Sequence, residues 1–373
     1  MNSEITIINL IQDLATPHNN TIIKQFVGNK NVQLNLWYAE TQDKKRYQWS
    51  NDITNQYFQA NIYGKSLNLS FIRYCLTHSK EKYFIVGWMN INTKILHILF
   101  FLFQRPFNHW TDHPQENKKK ESKWHINFFR FMFYWMLSNS KCKVFVVGKI
   151  TITTFLKKGF PQKMLVNLPI FVDVDEGLME YKSQKAKIQA KFNVPVGGYL
   201  LSAGSRLIYE KGYDLLISSI SKLPTELKEK IKLIIVGSGN QFLNLKQQID
   251  MASINNVIEI QEWMDIEDFK ALIANSEIFF HPARFDAYGG TTLGMALSVP
   301  VIGSRGAGAA VDRIKHGVNG YLYEPEDIHT LSEQIITLLR NDELRKQMAI
   351  EAYNTAREWH PSLGADIIIK NSI

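Results

Sequence analysis

Residues 281–296 read HPARFDAYGGTTLGMA, and this stretch decides the fold class. The apolar run Ile278–His281 leads into it and has the length and composition of a buried strand. Gly289 and Gly290 then open a segment with helical spacing. A strand that passes through a glycine turn into a helix is typical of parallel α/β sheets, and the first helical turn favours anions. The stretch therefore predicts an α/β domain with an anion site at this strand end.

The alternation of strand and helix continues through the C-terminal half. Other short apolar runs predict strands at Tyr199–Ala203, Leu233–Val236, Val257–Ile260 and Pro300–Gly303. Segments with helical spacing lie between them, at Tyr213–Lys222, Asn240–Ser253, Ile266–Ala274 and Gly290–Ser298. This pattern predicts a doubly wound parallel sheet with helices on both faces.

The N-terminal half has a second set of such segments. Its predicted strands are Ile5–Leu10, Val32–Tyr38, Tyr83–Trp88, Phe107–Thr111 and Lys143–Val147, and its clearest helices are Leu67–His78 and Asn92–Gln104. An extended stretch, Leu168–Asp175, separates the two sets. We therefore predict two Rossmann-like domains, residues 1–172 and 173–373, which would face a central cleft lined by their strand ends.

Composition and charge narrow the classes of protein. The chain has 373 residues, of which 45% are hydrophobic, and its two cysteines cannot form a disulfide framework, so a reduced, cytoplasmic setting is expected. The net charge is +8, and residues 1–175 carry 22 Lys and Arg against 11 Asp and Glu. That excess indicates an anionic partner for the N-terminal half. No apolar run reaches the roughly 20 residues of a spanning helix.

Two common nucleotide-binding motifs are missing. The loop Gly237-Ser238-Gly239 has two glycines of a dinucleotide fingerprint but lacks the third, and no phosphate-binding P-loop motif occurs. Dehydrogenase and P-loop ATPase chemistry are therefore not expected. A basic nucleic-acid-binding protein is a rival from another class, although no module that interleaves basic and aromatic residues is recognisable.

Cations and a glycine turn mark the candidate anion site. Arg206 and Lys211 lie five positions apart on one strand-to-helix loop, a spacing that suits a diphosphate. The alternative is a pair of solvated loop charges. Asp286 precedes the glycine turn and could accept hydrogen bonds from sugar hydroxyls, while the turn itself could be needed for geometry alone.

The stretch from Tyr199 to about Leu339 resembles the nucleotide-sugar-binding domain of GT-B glycosyltransferases, in particular the retaining family 4 group. The matching pieces are Gly204…Arg206…Glu210-Lys211-Gly212, Ile235–Gly239, Pro282…Asp286–Gly289, Pro300–Ile302 and Gly317–Gly320. The resemblance implies a donor diphosphate held by Gly204, Arg206, Lys211, Gly289, Gly290, Thr291 and Thr292. It implies that Asp286 lies by the transferred sugar as a catalytic residue.

The chain departs from the family pattern at two acidic positions. Asp286 replaces the first Glu of the family's pair, and Gly294 replaces the second, which holds the nucleotide ribose. An inactive homologue is therefore an open alternative. On this interpretation Gly294→Glu would restore the pattern and tighten nucleotide binding.

A polar turn is the strongest candidate in the N-terminal domain. Asp112 and His113 follow the predicted strand Phe107–Thr111, where family members often carry a similar polar pair, and we predict that both are catalytic. A His beside a carboxylate can orient sugar hydroxyls or move an acceptor proton. The alternative is a polar loop with structural hydrogen bonds.

The basic run Lys118–Lys123 precedes an aromatic segment, Phe128–Leu137. This order suits an anionic bilayer surface and predicts peripheral binding that high salt reverses. The alternative is a buried helix with a solvated, charged entrance.

Together these patterns predict a retaining hexosyltransferase that uses a nucleotide-sugar donor and a saccharide or lipid-linked acceptor in bacterial surface polysaccharide or lipopolysaccharide synthesis. No cofactor or metal is expected, since the Asp-Val-Asp at residues 173–175 falls at the domain junction.

Overall fold

The computed structural model describes residues 5–40, 59–114, 124–174, 177–262 and 264–373. The chain forms two compact units, one of Met1–Phe171 with Pro361–Ile373 and the other of Val172–His360. The last segment therefore packs with the N-terminal unit, whereas the predicted boundary placed it in the second domain. Contacts explain this return: Lys82 Nζ donates to the carbonyl of Ser372 over 2.7 Å, and the Phe171 ring lies against Gly364.

The N-terminal unit contains a seven-stranded parallel sheet. Its strands are β1 (Thr6–Leu14), β2 (Val32–Glu40), β3 (Ala60–Ile62), β4 (Lys82–Val86), β5 (Phe107–Thr111), β6 (Cys142–Val146) and β7 (Leu165–Asn167). The order is β3-β2-β1-β4-β5-β6-β7, so the direction of winding reverses between β1 and β4. The first helices are α1 (Pro17–Ile23), α2 (Leu69–Thr77), α3 (Ile91–Leu102), α4 (Trp124–Ser138) and α5 (Gly148–Lys157).

The C-terminal unit contains a six-stranded parallel sheet. Its strands are β8 (Tyr199–Gly204), β9 (Ile231–Val236), β10 (Ile258–Gln261), β11 (Ile278–His281), β12 (Val301–Ser304) and β13 (Gly320–Tyr323). Their order is β10-β9-β8-β11-β12-β13, and every neighbouring pair is parallel. The winding reverses between β8 and β11, and ligands of such sheets bind beyond the strand ends at this switch point.

Helices cover both faces of the second sheet. They are α6 (Leu178–Ser183), α7 (Lys185–Lys191), α8 (Tyr213–Ser221), α9 (Thr225–Lys228), α10 (Phe242–Met251), α11 (Ile266–Ala274), α12 (Thr291–Ala296), α13 (Gly308–Arg313), α14 (Ile328–Arg340) and α15 (Asp342–Glu358). The last helix, α16 (Pro361–Asn371), belongs to the first unit. The prediction of two doubly wound sheets is confirmed. Within the described ranges, no helix combines the length and hydropathy needed to cross a bilayer.

Candidate functional site

Three loops meet at the switch point of the C-terminal sheet. The loop after β8 contains a 3-10 turn, Tyr209–Lys211, and the backbone N–H of Phe285 donates to the carbonyl of Glu210 over 3.0 Å. The loop after β12 joins them, because the N–H of Asp286 donates to the Gly306 carbonyl over 2.9 Å. These backbone bonds fix the loop that carries Asp286 between its two neighbours.

The Asp286 carboxylate is held by two side chains. Its Oδ2 accepts hydrogen bonds from Lys211 Nζ and, over 2.9 Å, from His281 Nε2. Lys211 and Asp286 keep only 10% and 13% of their side-chain surface exposed, so this ion pair is nearly buried. Burial raises the pKa of Asp286, but the bonds and charges of His281 and Lys211 outweigh burial and hold that pKa well below its ordinary value. Asp286 is therefore a fixed carboxylate.

His281 connects Asp286 to the first turn of α12. Its Nδ1 lies 2.8 Å from Oγ1 of Thr291. Because Nε2 donates to the carboxylate, the imidazole connects Asp286 and the Thr291 hydroxyl through its two ring nitrogens. Sequence reasoning missed this role, although a histidine at the end of β11, five residues before the acid, was a signal for it.

Gly289 makes this close arrangement possible. Its φ is +89°, and a Cβ there would lie 2.3 Å from Asp286 Oδ2 and 2.4 Å from His281 Cε1. Any side chain would therefore push apart the imidazole and the carboxylate. The glycine turn predicted from the sequence is required by geometry at this position.

Arg284, in the loop after β11, contacts both the loop after β8 and the start of α8. Its guanidinium donates two hydrogen bonds to Asp214, over 2.6 and 2.7 Å, and another to Glu326. It also stacks on the Tyr209 ring, 4.0 Å from the centroid. Such a bidentate, stacked arginine is a structural clamp, and no motif had singled it out.

The other predicted donor-binding residues lie around this cluster. Arg206 is exposed, unlike Lys211. Gly204 packs against Phe269, whose Cζ would lie 2.4 Å from an added Cβ. Gly290 precedes α12, and the Thr292 hydroxyl donates to the Gly289 carbonyl over 3.4 Å.

The structure contradicts the expected rescue at Gly294. This residue is buried in α12, and an added Cβ would lie 2.9 Å from both Phe279 Cδ1 and Val301 Cγ2. The helix approaches strands β11 and β12 too closely for a side chain here. A glutamate at position 294 therefore cannot be accommodated without moving the helix.

Asp112 and His113 follow β5 in the N-terminal unit, as predicted. His113 Nε2 lies 2.8 Å from Oγ1 of Thr154, a residue of α5. Asp112 is exposed and His113 is half-buried. The contact orients the imidazole at the carboxyl end of the sheet and leaves the catalytic role of both residues a prediction.

A carboxylate at the first sheet's switch point was missed. Asp13, near the end of β1, accepts a hydrogen bond from the Tyr63 hydroxyl over 3.0 Å. Burial raises the pKa of Asp13, although the Tyr63 bond opposes that shift. A partly buried acid at this point of the sheet is a candidate acid or base.

In the described part of the chain, no group of three or more His, Cys, Asp or Glu residues could hold a metal ion. Asp175 of the Asp-Val-Asp sequence lies outside the described residues.

Comparison with known proteins connects this site to a family. Residues 184–355 match the family model "Glycosyl transferases group 1". The chain is 23% identical over 148 residues to a 2-deoxystreptamine N-acetyl-D-glucosaminyltransferase of Niallia circulans, covering 39% of this chain and 38% of that protein. It is 26% identical over 179 residues to an N-acetyl-alpha-D-glucosaminyl L-malate synthase of Bacillus anthracis, covering 48% and 46%. The matched stretch thus spans less than half the length of either relative.

The fold has close structural neighbours. HepE of Anabaena, solved in complex with UDP, aligns over 98% of this chain and 99% of its own, with a TM-score of 0.75 and 17% identity. This likeness shows the fold, which is GT-B. The resemblance to GT-B glycosyltransferases that the sequence predicted is confirmed by the family match and by this fold.

Proposed function

We propose that the protein is a glycosyltransferase that moves a sugar from a nucleotide-sugar donor to a saccharide or lipid-linked acceptor in bacterial surface polysaccharide or glycolipid synthesis. The cluster of Lys211, His281 and Asp286 at the switch point of the second sheet carries the proposal. The names of the matched relatives support sugar transfer, and HepE's complex with UDP supports a uridine nucleotide as the first donor to test.

In this proposal Arg206 and the residues of the cluster act on different parts of the donor. Arg206, which is exposed, contacts the diphosphate, and the Lys211 ammonium adds positive charge beside it as the leaving group forms. Asp286, fixed by its two partners, accepts a hydroxyl of the transferred sugar. We also propose that the transferred sugar is a hexose and that the reaction retains its anomeric configuration. Both proposals rest on the family resemblance.

Donor binding is tested by thermal unfolding of the full chain with UDP, GDP and ADP sugars. A ligand of the folded state at 100 times its dissociation constant stabilises by about 2.7 kcal/mol, which raises the melting temperature by several degrees. If none of these donors raised the melting temperature, the proposal would fail. Binding without turnover on any acceptor would favour the inactive homologue.

Arg206→Ala is expected to weaken nucleotide-sugar binding about 10- to 100-fold, since a hydrogen bond to a charged group contributes about 1.5–3 kcal/mol. Calorimetric titration of donor into both proteins measures the loss. Arg305→Ala is the control: Arg305 is also exposed in the C-terminal unit and pairs with Glu324 over 3.0 Å. Equal affinity in wild type and Arg206→Ala would place the diphosphate elsewhere.

Asp112→Asn and His113→Gln are each expected to lower transfer while leaving donor affinity nearly unchanged, because the proposed donor site lies in the other unit. Loss of a general acid or base costs about 10²- to 10⁴-fold in rate. Rates are measured with a donor found by thermal unfolding, and Thr154→Val tests whether the contact to His113 matters. Loss of donor binding in both variants would contradict the assignment.

A further inference from the structure

Helix α4 exposes aromatic side chains on the face that points away from the sheet. Its buried residues are Phe133 and Leu137. On the opposite side, spaced by four, three and four positions, are four rings with 78%, 51%, 64% and 48% of their surface exposed: Trp124, Phe128, Phe131 and Trp135. A helix on the surface of a globular domain normally shows polar residues there, whereas α4 is apolar on its exposed side as well as on its buried side.

Helix α3 extends this apolar surface. Ile98, Leu102 and Phe103 at its C-terminal end are 48%, 63% and 66% exposed. The Phe101 ring packs edge-on against Trp135, with 5.8 Å between centroids, and so joins the two helices. We call this surface, made by the four outward rings of α4 with Ile98, Leu102 and Phe103, the aromatic face.

The charges of both helices favour one kind of partner. Neither α3 nor α4 contains an aspartate or glutamate, and their charged residues are Lys94 and Arg130. A face of tryptophan and phenylalanine on two helices whose lysine and arginine are not accompanied by an acidic residue matches the interface of an anionic bilayer, where aromatic rings lie at the level of the headgroups.

We infer that the aromatic face inserts its side chains into the interfacial region of a membrane that contains anionic lipid. This inference deepens the proposed function and rests on it, because a lipid-linked acceptor is part of that proposal. It names the surface of the protein that would contact the membrane. The run Lys118–Lys123, which led to the expectation of salt-reversible binding, lies outside the described residues. Insertion of apolar rings has a different consequence: a substantial part of binding persists at high salt, because salt screens charges and does not weaken apolar burial.

The test is co-sedimentation of the full chain with vesicles of phosphatidylcholine, with and without phosphatidylglycerol, at 0.1 and 0.5 M NaCl (about 10 and 4 Å screening length). Phe128→Ser with Phe131→Ser is expected to weaken partitioning at least tenfold at both salt concentrations. The matched control is Leu243→Ser with Met251→Ser, which removes two apolar side chains of α10 that are 75% and 79% exposed. The control is expected to bind like wild type.

The inference would be overturned by no sedimentation of the wild type with any vesicle, by equal binding of the Phe128/Phe131 variant and the control, or by complete release at 0.5 M NaCl. Sedimentation velocity without lipid tests a second copy of the chain as the occupant. If the wild type formed a dimer that the Phe128/Phe131 substitutions abolish and the control substitutions do not, and if it did not bind vesicles, the inference would also be overturned. Donor-induced thermal stabilisation is measured in parallel, so a failed glycosyltransferase proposal is distinguishable from a failed membrane surface.

Discussion

Lys211→Met is expected to lower sugar transfer about 10²- to 10³-fold, the cost of losing one donor that stabilises charge in a transition state. The substitution removes the ammonium from the Asp286 carboxylate and from the proposed diphosphate site. His281 still donates to Asp286 over 2.9 Å, so we expect the C-terminal unit to remain folded. Initial rates at saturating donor, together with circular dichroism of the variant, measure both effects.

The chain offers a matched control for this lysine. Lys232 is also nearly buried and pairs with a carboxylate, Glu259, over 3.3 Å, but it lies at the amino end of β9, away from the proposed site. Lys232→Met is expected to keep near-normal rates per folded molecule. Equal activity of Lys211→Met and wild type would show that the Lys211–Asp286 pair only holds the loops together.

Asp286→Asn separates two roles of the same cluster. The substitution removes the negative charge and leaves an amide of similar shape. The ion pair with Lys211 is therefore lost, while the size of the side chain is kept. Because Asp286 is proposed to touch the sugar and not the nucleotide, turnover is expected to fall more than donor affinity. The comparison of kcat with donor Kd shows whether the carboxylate acts in transfer.

The fold was largely predictable because its central strands are continuous apolar runs. The strands Tyr199–Ala203 and Ile278–His281 were predicted within one residue of β8 and β11. The strands that were missed, β3, β7 and β13, lie at the edges of the sheets and have only three or four residues, too few for a clear pattern. The return of α16 to the first unit depends on contacts distant in sequence, which periodicity cannot reveal.

The site was predictable in position but only partly in its contacts. The sequence predicted that Lys211 and Asp286 lie at the carboxyl end of the same sheet. It assigned Lys211 to the diphosphate and Asp286 to the sugar, and it did not predict that the two side chains bind each other. It also missed the role of His281, because a single histidine five residues before the acid is a weaker signal than a motif. Whether α4 is buried or exposed was left open, since aromatic residues occur on almost every side of that helix and only the packing selects which of them point outward.

Gly294→Glu is expected to destabilise the C-terminal unit by about 4 kcal/mol or more, the range reached when a substitution both overpacks a core and buries an unpaired charge. The added Cβ would lie 2.9 Å from Phe279 and Val301, and the carboxylate would follow it into the contact between α12 and the sheet. Urea unfolding measures the change, and Gly294→Ala, which adds the Cβ alone, is expected to cost about 1–3 kcal/mol.

The same experiment tests how this chain departs from the GT-B pattern at the nucleotide. A folded Gly294→Glu protein with tighter donor binding would mean that α12 moves readily and that the family pattern can be restored. If the variant unfolds early, as expected, position 294 cannot carry a ribose contact. The close packing of α12 on β11 and β12 would then leave the ribose contact of the proposed donor to other residues.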